Sequence, residues 1–511
     1  MFLRKILKVI NSRYFISSLF IVFELVILFL LQKYLNDYLL IFYVFSFIFS
    51  LLAFLYVVNS NTIPETKMPW MLIILVFQPF GAILFFIFGS RQLTLKEKRY
   101  LRSLNKEQKM LTNNTLDNLK ILKEHNIEAY QFANALCFES FSTMSINTNV
   151  KYFKCGEDFY IDFIEELKNA EKFIFMEYFI IEECTMWNEI LSILRTKVND
   201  GVEVRLLYDD IGSLFSIPIN YYKKLRQYGI KANCFSKFNG RANSSHNNRS
   251  HRKITVIDGK IAFTGGINLA DEYINRNDRL GYWKDSAIKL RGSGVDELTK
   301  TFLFDWDLND NKKTKYDDYL NLYENCIQDG FIVPFSTGPV PLYNPDIAKN
   351  MYLNLINNAR SFIYLTTPYL IIDNELTNSL MNASKRGVEV VIITPHIPDK
   401  KFVYELTKSS YKQLMNSGVK IYEFTPGFIH AKNFIVDGKY AVCGTINFDY
   451  RSLIHHYENA VWMFENSSIE SMTNDFIETV DKSIIQTEQS IYQRPIIKLL
   501  VGIIKIFAPF F

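Results

Sequence analysis

Two stretches of the chain carry the same reactive residues at the same spacing. Each contains a histidine, a lysine two residues later and an aspartate five residues after the lysine, a pattern written H-x-K-x4-D. The copies agree at five positions with a constant offset of 179 residues: His251 and His430, Lys253 and Lys432, Asp258 and Asp437, Gly265 and Gly444, Asn268 and Asn447. One copy would be weak evidence for a site, but two copies in register indicate a duplicated unit.

These residue types suit chemistry on a phosphodiester. A neutral imidazole can attack phosphorus while a second imidazole donates a proton to the leaving alcohol. Lys253 and Lys432, with Asn268 and Asn447, would hold the negative charge of the five-coordinate phosphorus. The first step would leave a phosphohistidine, which water hydrolyses and an alcohol converts into a transfer product. Neither motif has a carboxylate-rich cluster for Mg²⁺ or a set of cysteines for Zn²⁺, so we expect no metal and no cofactor.

The motif aspartates and glycines are open to more than one interpretation. Asp258 and Asp437 belong to the repeated pattern and therefore to the candidate catalytic set. They also stand in the segments IDG and VDG, which are typical of hairpin turns, and we favour this structural role. The Gly-Gly and Gly-Thr pairs at 265–266 and 444–445 predict a close approach of the backbone to a ligand.

The elements around the motifs predict an α/β fold that is built twice. KITVID and KNFIVD are β-rich, so the H-x-K step places histidine and lysine on one face of a strand. Upstream, the chain predicts a strand at 172–181, a helix at 186–201 and a strand at 202–210, and an equivalent of the first strand returns at 361–372. One tandem duplication explains the repeats, and two halves folded as a pseudo-dimer would share one active site.

Apolar runs near the N-terminus predict a membrane anchor. The runs from Tyr14 to Leu31, Tyr38 to Val58 and Trp70 to Phe88 are each close to the ~20 residues that a crossing helix needs. Basic residues precede the first run and follow the third, and three full crossings cannot place both basic flanks in the cytoplasm. Either one run is interfacial or re-entrant, or one basic flank lies outside the cytoplasm despite its charge. We expect a multi-pass anchor with the catalytic part in the cytoplasm.

Length and composition set the domain plan. With 511 residues the chain can form several domains. The predicted segments are a membrane anchor at 1–92, a basic linker at 93–130, a first half at 131–330, a second half at 331–493 and a C-terminal interfacial helix at 494–511. That last helix could equally pack on the soluble part. A net charge of +4 does not favour a nucleic-acid binder, and six scattered cysteines predict no disulfide framework.

On these motifs the chain resembles the phospholipase D superfamily, whose hallmark is the doubled H-x-K-x4-D, and within it the bacterial cardiolipin synthases. The resemblance extends over nearly the whole chain, through MEYFI, LLYDDIGS, NNRSHRK, TTPYLI and PGFIHAK. It implies that a phosphatidyl group passes from one phosphatidylglycerol to a histidine and then to a second phosphatidylglycerol, with release of glycerol, at a bacterial cell membrane. It also implies that Glu458, in HHYEN, orients a catalytic histidine, with Asp285 as the first-half counterpart.

Other functions would use the same residues. A membrane phospholipase D hydrolase or a phosphatidylserine synthase needs the same histidines and lysines, because the choice between water and alcohol depends on a pocket that no motif describes. A nuclease has little use for the apolar N-terminus, and intact histidines in both copies disfavour a catalytically silent scaffold. The expected partners are phosphatidylglycerol and an anionic bilayer and not nucleic acid, while a homo-oligomer stays open.

Overall fold

The structure is a computed structural model that describes residues 38–60, 63–89, 113–237, 248–310, 313–340, 342–490 and 495–510, with scattered residues between 22 and 33. The described residues fall into two compact units. Those before residue 94 form one unit together with 502–510, and those from 113 to 501 form the other. The second unit holds both copies of the motif and is called the catalytic unit below.

The N-terminal unit contains a helix that can cross a membrane. Helix α1 (Leu39–Asn59) has 21 residues, which correspond to a length of about 31 Å. Ser46, Ser50, Ala53 and Val57 form its buried face, and most of its large apolar side chains point outward. Among the residues that the structure describes, α1 is the one helix long and apolar enough to span a bilayer.

The third apolar run does not form a second crossing helix. Helix α2 (Pro64–Val76) ends before a turn that contains Pro79, and the chain resumes as α3 (Phe80–Leu84) and a π-helical turn at Phe85–Gly89. Proline lacks the backbone N–H of a continuing helix, which explains the break. The multi-pass prediction is therefore not supported by the described residues, and most of the run at 14–31 lies outside them.

Each half of the catalytic unit builds one sheet. The first-half strands are β1 (Thr148–Phe153), β2 (Phe173–Tyr178), β3 (Glu203–Asp209), β4 (Lys231–Phe235), β5 (Lys253–Ile257), β6 (Ile261–Gly265), β7 (Tyr282–Lys284) and β8 (Ala287–Gly292). The second-half strands are β9 (Phe331–Thr337), β10 (Phe362–Thr366), β11 (Leu370–Ile371), β12 (Glu389–Pro395), β13 (Lys420–Phe424), β14 (Gly427–Ile429), β15 (Asn433–Val436), β16 (Tyr440–Gly444), β17 (Phe448–Asp449), β18 (Glu458–Phe464) and β19 (Ser483–Ile485).

The two sheets have the same topology. The first has the strand order β1-β8-β6-β5-β2-β3-β4, and the second has β9-β18-β16-β15-β10-β12-β13 with β19 added at its edge. In the first sheet β2, β3 and β4 are parallel and β5 is antiparallel to β2. In the second, β10, β12 and β13 are parallel and β15 is antiparallel to β10. The predicted duplicated α/β fold is confirmed.

Helices cover the sheets. They are α4 (Asn113–His125), α5 (Ile127–Ser140), α6 (Gly156–Lys168), α7 (Thr185–Asn199), α8 (Tyr221–Gln227), α9 (Val295–Asn309), α10 (Ile347–Asn358), α11 (Asn374–Lys385), α12 (Lys401–Met415), α13 (Ser468–Asp481) and α14 (Pro495–Ile506). In α7, Trp187, Ile190 and Leu194 recur every three or four residues and are all buried. An amphipathic helix of this kind packs its apolar stripe on the sheet.

Helices α4 and α5 begin inside the segment predicted as a basic linker. Asn126 caps α5, because its side chain accepts a hydrogen bond from the backbone N–H of Ala129 at 2.9 Å. Leu119, Leu122 and Ala129 belong to the buried core of the second half. The described part of the segment at 93–130 is therefore helical and packed, because apolar residues at helical spacing gain more by burial than as a solvated linker.

The two halves of the catalytic unit share a buried core. One apolar cluster contains Phe175, Ile254 and Phe302 from the first half together with Ile393 and Met463 from the second. Side chains of this size stabilise by roughly 1.5–3 kcal/mol each when fully buried. The shared core fixes the two halves against each other and so determines the geometry of any site between them.

A buried arginine also joins the halves. Arg252 donates to the backbone oxygens of Glu458 at 3.1 Å and Thr337 at 3.2 Å, and to the hydroxyl of Tyr343 at 2.7 Å. It forms an ion pair with Asp305 of its own half. Arg252 lies between the motif residues His251 and Lys253 in sequence. Its bonds therefore attach the start of β5 to the second half.

Candidate active site

The two motif histidines stand just before equivalent strands, and each is attached to the opposite half. The backbone N–H of His251 donates to the carbonyl oxygen of Tyr457 at 2.9 Å. The backbone N–H of His430 donates to the carbonyl oxygen of Lys284 at 2.7 Å. Tyr457 precedes β18 and Lys284 lies shortly before β8, which are equivalent strands of the two sheets. Each half therefore accepts a backbone hydrogen bond from the motif histidine of the other half.

Each half also supplies an acid to the imidazole of the opposite half. Nδ1 of His251 lies 3.0 Å from both carboxylate oxygens of Glu458, and Nδ1 of His430 lies 2.7 Å from Oδ2 of Asp285. All four side chains are buried. A carboxylate at Nδ1 accepts a hydrogen bond from that nitrogen. The bond fixes the orientation of the ring and leaves Nε2 as the reactive atom. The structure thus places both acids of the resemblance at the histidines, each serving the other half.

The two acids are held differently. Thr445 donates its hydroxyl hydrogen to Glu458. The equivalent position is Gly266, where a Cβ would lie 2.0 Å from Oδ1 of Asp285. The backbone N–H of Ser286 donates to this same oxygen at 2.8 Å. The Gly-Gly pair therefore gives room to the orienting acid, whereas the sequence predicted a close approach to a ligand.

Electrostatics favour the neutral form of both imidazoles. Burial, together with the charges of Lys253 and Lys432, lowers the pKa of His251 well below its ordinary value, and His430 adds to this effect. Burial and Lys432 lower the pKa of His430 to about 4, against the opposing effect of Asp285. Because Lys432 and His430 of the second half act on His251, and Lys253 of the first half acts on His430, the two motifs lie close together.

The motif lysines lie beside the imidazoles. Nζ of Lys253 donates to the carbonyl oxygen of His251 at 2.6 Å, and Nζ of Lys432 makes the equivalent bond to His430. Burial lowers the pKa of Lys253 to about 7, against the opposing charge of Glu458. Burial lowers that of Lys432 to about 8. An anion bound between the two ammonium groups would stabilise their charged forms, so the site is suited to a phosphate.

The motif asparagines are not equivalent. Oδ1 of Asn268 accepts from the backbone N–H of Ile180 at 3.1 Å, and its Nδ2 donates to the hydroxyl of Tyr273 at 2.8 Å. Oδ1 of Asn447 is buried and has no hydrogen-bond partner among the described residues. The NH₂ group of Asn447 hydrogen-bonds to the carboxylate of Asp449, and its second hydrogen could reach a phosphate oxygen. Of the two, Asn447 is the amide that is open to a ligand.

The motif aspartates are the members of the candidate set that the structure does not bring to the histidines. Asp258 accepts from the backbone N–H groups of residues 171–173 at 2.7 to 2.8 Å. Asp437 accepts from those of residues 360–362 at 2.7 to 2.9 Å. Both have φ near +55°, as an aspartate in a tight turn can. Since β5 is about 16 Å long, Asp258 lies at the far end of the strand from Lys253.

Comparison with known proteins identifies the family of the chain. The family profile "Cardiolipin synthase, PLD-like domain" matches residues 163–306 and 352–480, and "Phospholipase D-nuclease N-terminal" matches 48–90. The chain belongs to the cardiolipin synthase, phospholipase D-like family. Family membership makes it a phosphatidyltransferase that acts on phospholipids. It confirms the resemblance stated on the motifs.

Individual relatives agree in length and fold. The chain is 42% identical over 458 residues to an uncharacterized protein of Streptococcus mutans, covering 89% of this chain and 98% of that one. It is 31% identical over 424 residues to a cardiolipin synthase of Halalkalibacterium halodurans, covering 82% and 83% of the two chains. The fold is similar to phosphatidylserine synthase of Haemophilus influenzae, with a TM-score of 0.56 at 16% identity, covering 74% of this chain and 98% of that one.

The cardiolipin synthase-like site has a third histidine that the sequence reasoning missed. His456 is buried, with its ring centre 5.5 Å from that of His251 and its Nδ1 3.6 Å from Oε1 of Glu458. Burial lowers the pKa of His456 to about 3. The ring of Phe179 packs against His251 at 5.0 Å and closes the same side. The available signal was the segment HHYEN, where His456 stands two residues before Glu458.

Three of these side chains could also hold a metal ion by geometry. Ligand atoms of His251, His456 and Glu458 lie within 4.8 Å of one another. However, Nδ1 of His251 and the carboxylate of Glu458 already face each other at 3.0 Å. An imidazole nitrogen that donates its hydrogen to a carboxylate cannot bind a cation at the same time. We therefore interpret Glu458 as the hydrogen-bond partner that positions His251, while His456 packs beside the pair and neither of its ring nitrogens has a hydrogen-bond partner among the described residues.

Proposed function

We propose that this chain is a cardiolipin synthase, which transfers a phosphatidyl group from one phosphatidylglycerol to a second and releases glycerol. One observation carries the proposal. His251 and His430 belong to one site, and Glu458 and Asp285 orient their rings across the halves. A two-step transfer requires a nucleophile and a second group that first donates and then accepts a proton, and two oriented imidazoles meet that requirement.

In the first step one neutral imidazole attacks the phosphorus of the donor lipid. A P–N bond forms, the P–O bond to glycerol breaks, and the second imidazole gives its proton to the leaving oxygen. The donor phosphodiester supplies a negative charge beside the second ring, which raises the pKa of that ring toward its ordinary value and lets it carry the proton. Lys253, Lys432 and Asn447 would hold the other phosphorus oxygens.

In the second step the hydroxyl of another phosphatidylglycerol replaces glycerol. The second imidazole, now neutral, takes the hydroxyl proton while the alcohol oxygen attacks phosphorus. The P–N bond breaks, cardiolipin leaves, and both imidazoles return to their starting state. Water in place of the alcohol would give phosphatidic acid, which is the reaction of a hydrolase with the same residues.

The test is product analysis with the full-length protein. Purified protein in phosphatidylglycerol vesicles without divalent metal should form cardiolipin and glycerol in equal amounts, as measured by mass spectrometry. Phosphatidic acid and glycerol would instead support the hydrolase, and phosphatidylserine formed after addition of cytidine-diphosphate diacylglycerol and serine would support that synthase. His396→Ala is the matched control for the histidine variants, because His396 is half-exposed and contacts Glu423.

We further propose that the chain resides in a bacterial cell membrane, crosses it more than once and places the catalytic unit in the cytoplasm. Helix α1 supports one crossing, and the run at 14–31 would supply another. Single cysteines introduced before residue 14 and near residue 96 test the topology. Both should be protected from an impermeant thiol reagent in intact cells, and labelling of the second site from outside would contradict the proposal.

The C-terminal helix supports contact with the bilayer surface. In α14 the apolar residues Leu499, Leu500 and Ile503 are exposed, and Lys498 and Lys505 stand beside them in sequence. Such a helix lies in an anionic membrane interface, with its apolar side chains among the acyl chains and its lysines at the headgroups. The homo-oligomer that the resemblance leaves open is tested by crosslinking in the same vesicles.

A further inference from the structure

An arginine near the histidines has no role in the steps above. Arg451 begins the π-helical turn Arg451–His455, which lies between Asn447 and His456 in sequence. Its backbone oxygen accepts a hydrogen bond from the N–H of His456 at 2.8 Å. Its side chain is exposed to solvent. Within the described ranges, the guanidinium has no carboxylate at ion-pair distance and no hydrogen-bond partner.

Charged groups of both halves act on Arg451. Solvent reaches the side chain, yet burial is the main cause that lowers the pKa of its guanidinium. The charges acting on it come from Asp449 in the second half and from Asp209 and Arg249 in the first. Arg451 in turn helps to lower the pKa of His456. Geometry places Arg451 at the edge of the site, because its backbone oxygen binds the N–H of His456, whose ring centre lies 5.5 Å from that of His251.

The acids near Arg451 have other partners. The carboxylate of Asp449 accepts from the backbone N–H of Ser452 at 2.8 Å. Asp209 is buried and accepts hydrogen bonds from Nε and Nη2 of Arg249 at 3.0 and 2.9 Å. Neither acid lies at ion-pair distance from Arg451. Arg451 therefore carries a permanent positive charge that no described carboxylate pairs with, which is the condition for binding an anion from outside.

The proposed reaction supplies such an anion. The donor phosphate is held by the two lysines, whereas the acceptor lipid carries a second phosphodiester that does not react and still has to enter the cleft. The glycerol unit that joins the reacting hydroxyl to this second phosphate is only three carbons long. The second phosphate must therefore sit close to the histidines but outside the pocket of Lys253 and Lys432.

We propose that Arg451 binds the phosphodiester of the acceptor lipid and so selects a phospholipid alcohol over free glycerol or water. This inference rests on the proposed function and names the acceptor subsite of that reaction. A planar guanidinium can make two parallel hydrogen bonds to phosphate oxygens, which fixes the acceptor hydroxyl in line with the P–N bond. Arg451 is a binding residue here and takes no part in proton transfer.

The test compares two acceptors with one donor. Vesicles of phosphatidylglycerol are incubated with labelled free glycerol, and cardiolipin formation and exchange of label into phosphatidylglycerol are followed together. Both reactions pass through the same phosphohistidine, but free glycerol has no phosphate for Arg451. In Arg451→Gln, cardiolipin formation should fall about tenfold to a hundredfold, the loss of a hydrogen bond to a charged group. Glycerol exchange should stay within about twofold of wild type.

Two control variants accompany this substitution. Arg451→Lys should restore part of the cardiolipin rate, because it keeps the charge and loses the paired hydrogen bonds. Arg195→Gln removes an exposed arginine that stacks on Tyr228 in the first half, and it should leave both rates unchanged. Exchange at the normal rate also shows that Arg451→Gln folds.

The outcomes separate this inference from the proposed function. An equal fall of cardiolipin formation and glycerol exchange in Arg451→Gln would overturn the acceptor subsite, since the arginine would then serve the donor or the fold. Unchanged cardiolipin formation would overturn it as well. Wild-type protein that exchanges glycerol and makes no cardiolipin would refute the proposed function itself, and the acceptor subsite with it.

Discussion

Nδ1 of His251 lies 3.0 Å from the carboxylate of Glu458, which is 207 residues further along the chain and belongs to the other half. The mirror relationship joins His430 to Asp285 at 2.7 Å. Neither half therefore contains a complete site. Each imidazole takes its orientation from the partner half, so docking of the halves and assembly of the catalytic residues are one event.

Replacing either motif histidine should abolish the reaction. In His251→Ala or His430→Ala the product analysis described above should find cardiolipin at least about a thousandfold below wild type, because nucleophile and proton donor are each indispensable. His396→Ala should keep full activity. A histidine variant that turns over at the wild-type rate would contradict the two-imidazole mechanism.

The orienting acids should affect kcat more than KM. In Glu458→Gln the amide can donate to Nδ1 of His251 and favour the wrong tautomer, so kcat should fall by about 10²- to 10⁴-fold. Asp285→Asn should act in the same way on His430. The measurement is the initial rate at several phosphatidylglycerol densities. A rise in KM at unchanged kcat would show that these acids bind substrate and do not position a ring.

The motif aspartates should matter for stability and not for turnover. Asp258→Asn weakens bonds to the backbone N–H groups of residues 171–173 and should lower the free energy of unfolding by about 1–3 kcal/mol. The rate per folded molecule should stay within about twofold. Thermal denaturation with activity normalised to folded protein checks this, and Asp437→Asn is the matched variant. A large fall in kcat at unchanged melting temperature would assign Asp258 to the chemistry.

Substrate affinity should weaken as pH rises above neutral. Burial lowers the pKa of Lys253 to about 7 and that of Lys432 to about 8, so both ammonium groups lose their proton between pH 7 and 9. The loss of two positive charges raises KM for the anionic lipid across this interval. In Lys432→Arg the guanidinium stays charged, and the rise should be smaller. A KM that is flat to pH 9 in the wild type would show that the lysines do not bind the donor phosphate.

Local patterns in the chain were enough to predict the duplicated fold. The constant offset between the motifs and the β-rich runs around them correspond to equivalent strands in two sheets of matching order. The run at 70–88 forms short helices with a break at Pro79 that a hydropathy pattern does not register, which favours the interfacial or re-entrant alternative for this run. The helices at 113–140 were partly missed because their apolar residues are buried only by packing against the second half, which lies far away in sequence.

The sequence by itself determined the repeated histidines, lysines and asparagines, because spacing along a strand is a local property that each half carries independently. Only the tertiary structure decided which acid lies at which histidine, that the amide oxygen of Asn447, unlike that of Asn268, has no hydrogen-bond partner among the described residues, and that His456 lies beside His251. These relationships cross from one half to the other. They depend on how two separately folded sheets dock through a shared core, which no local spacing encodes.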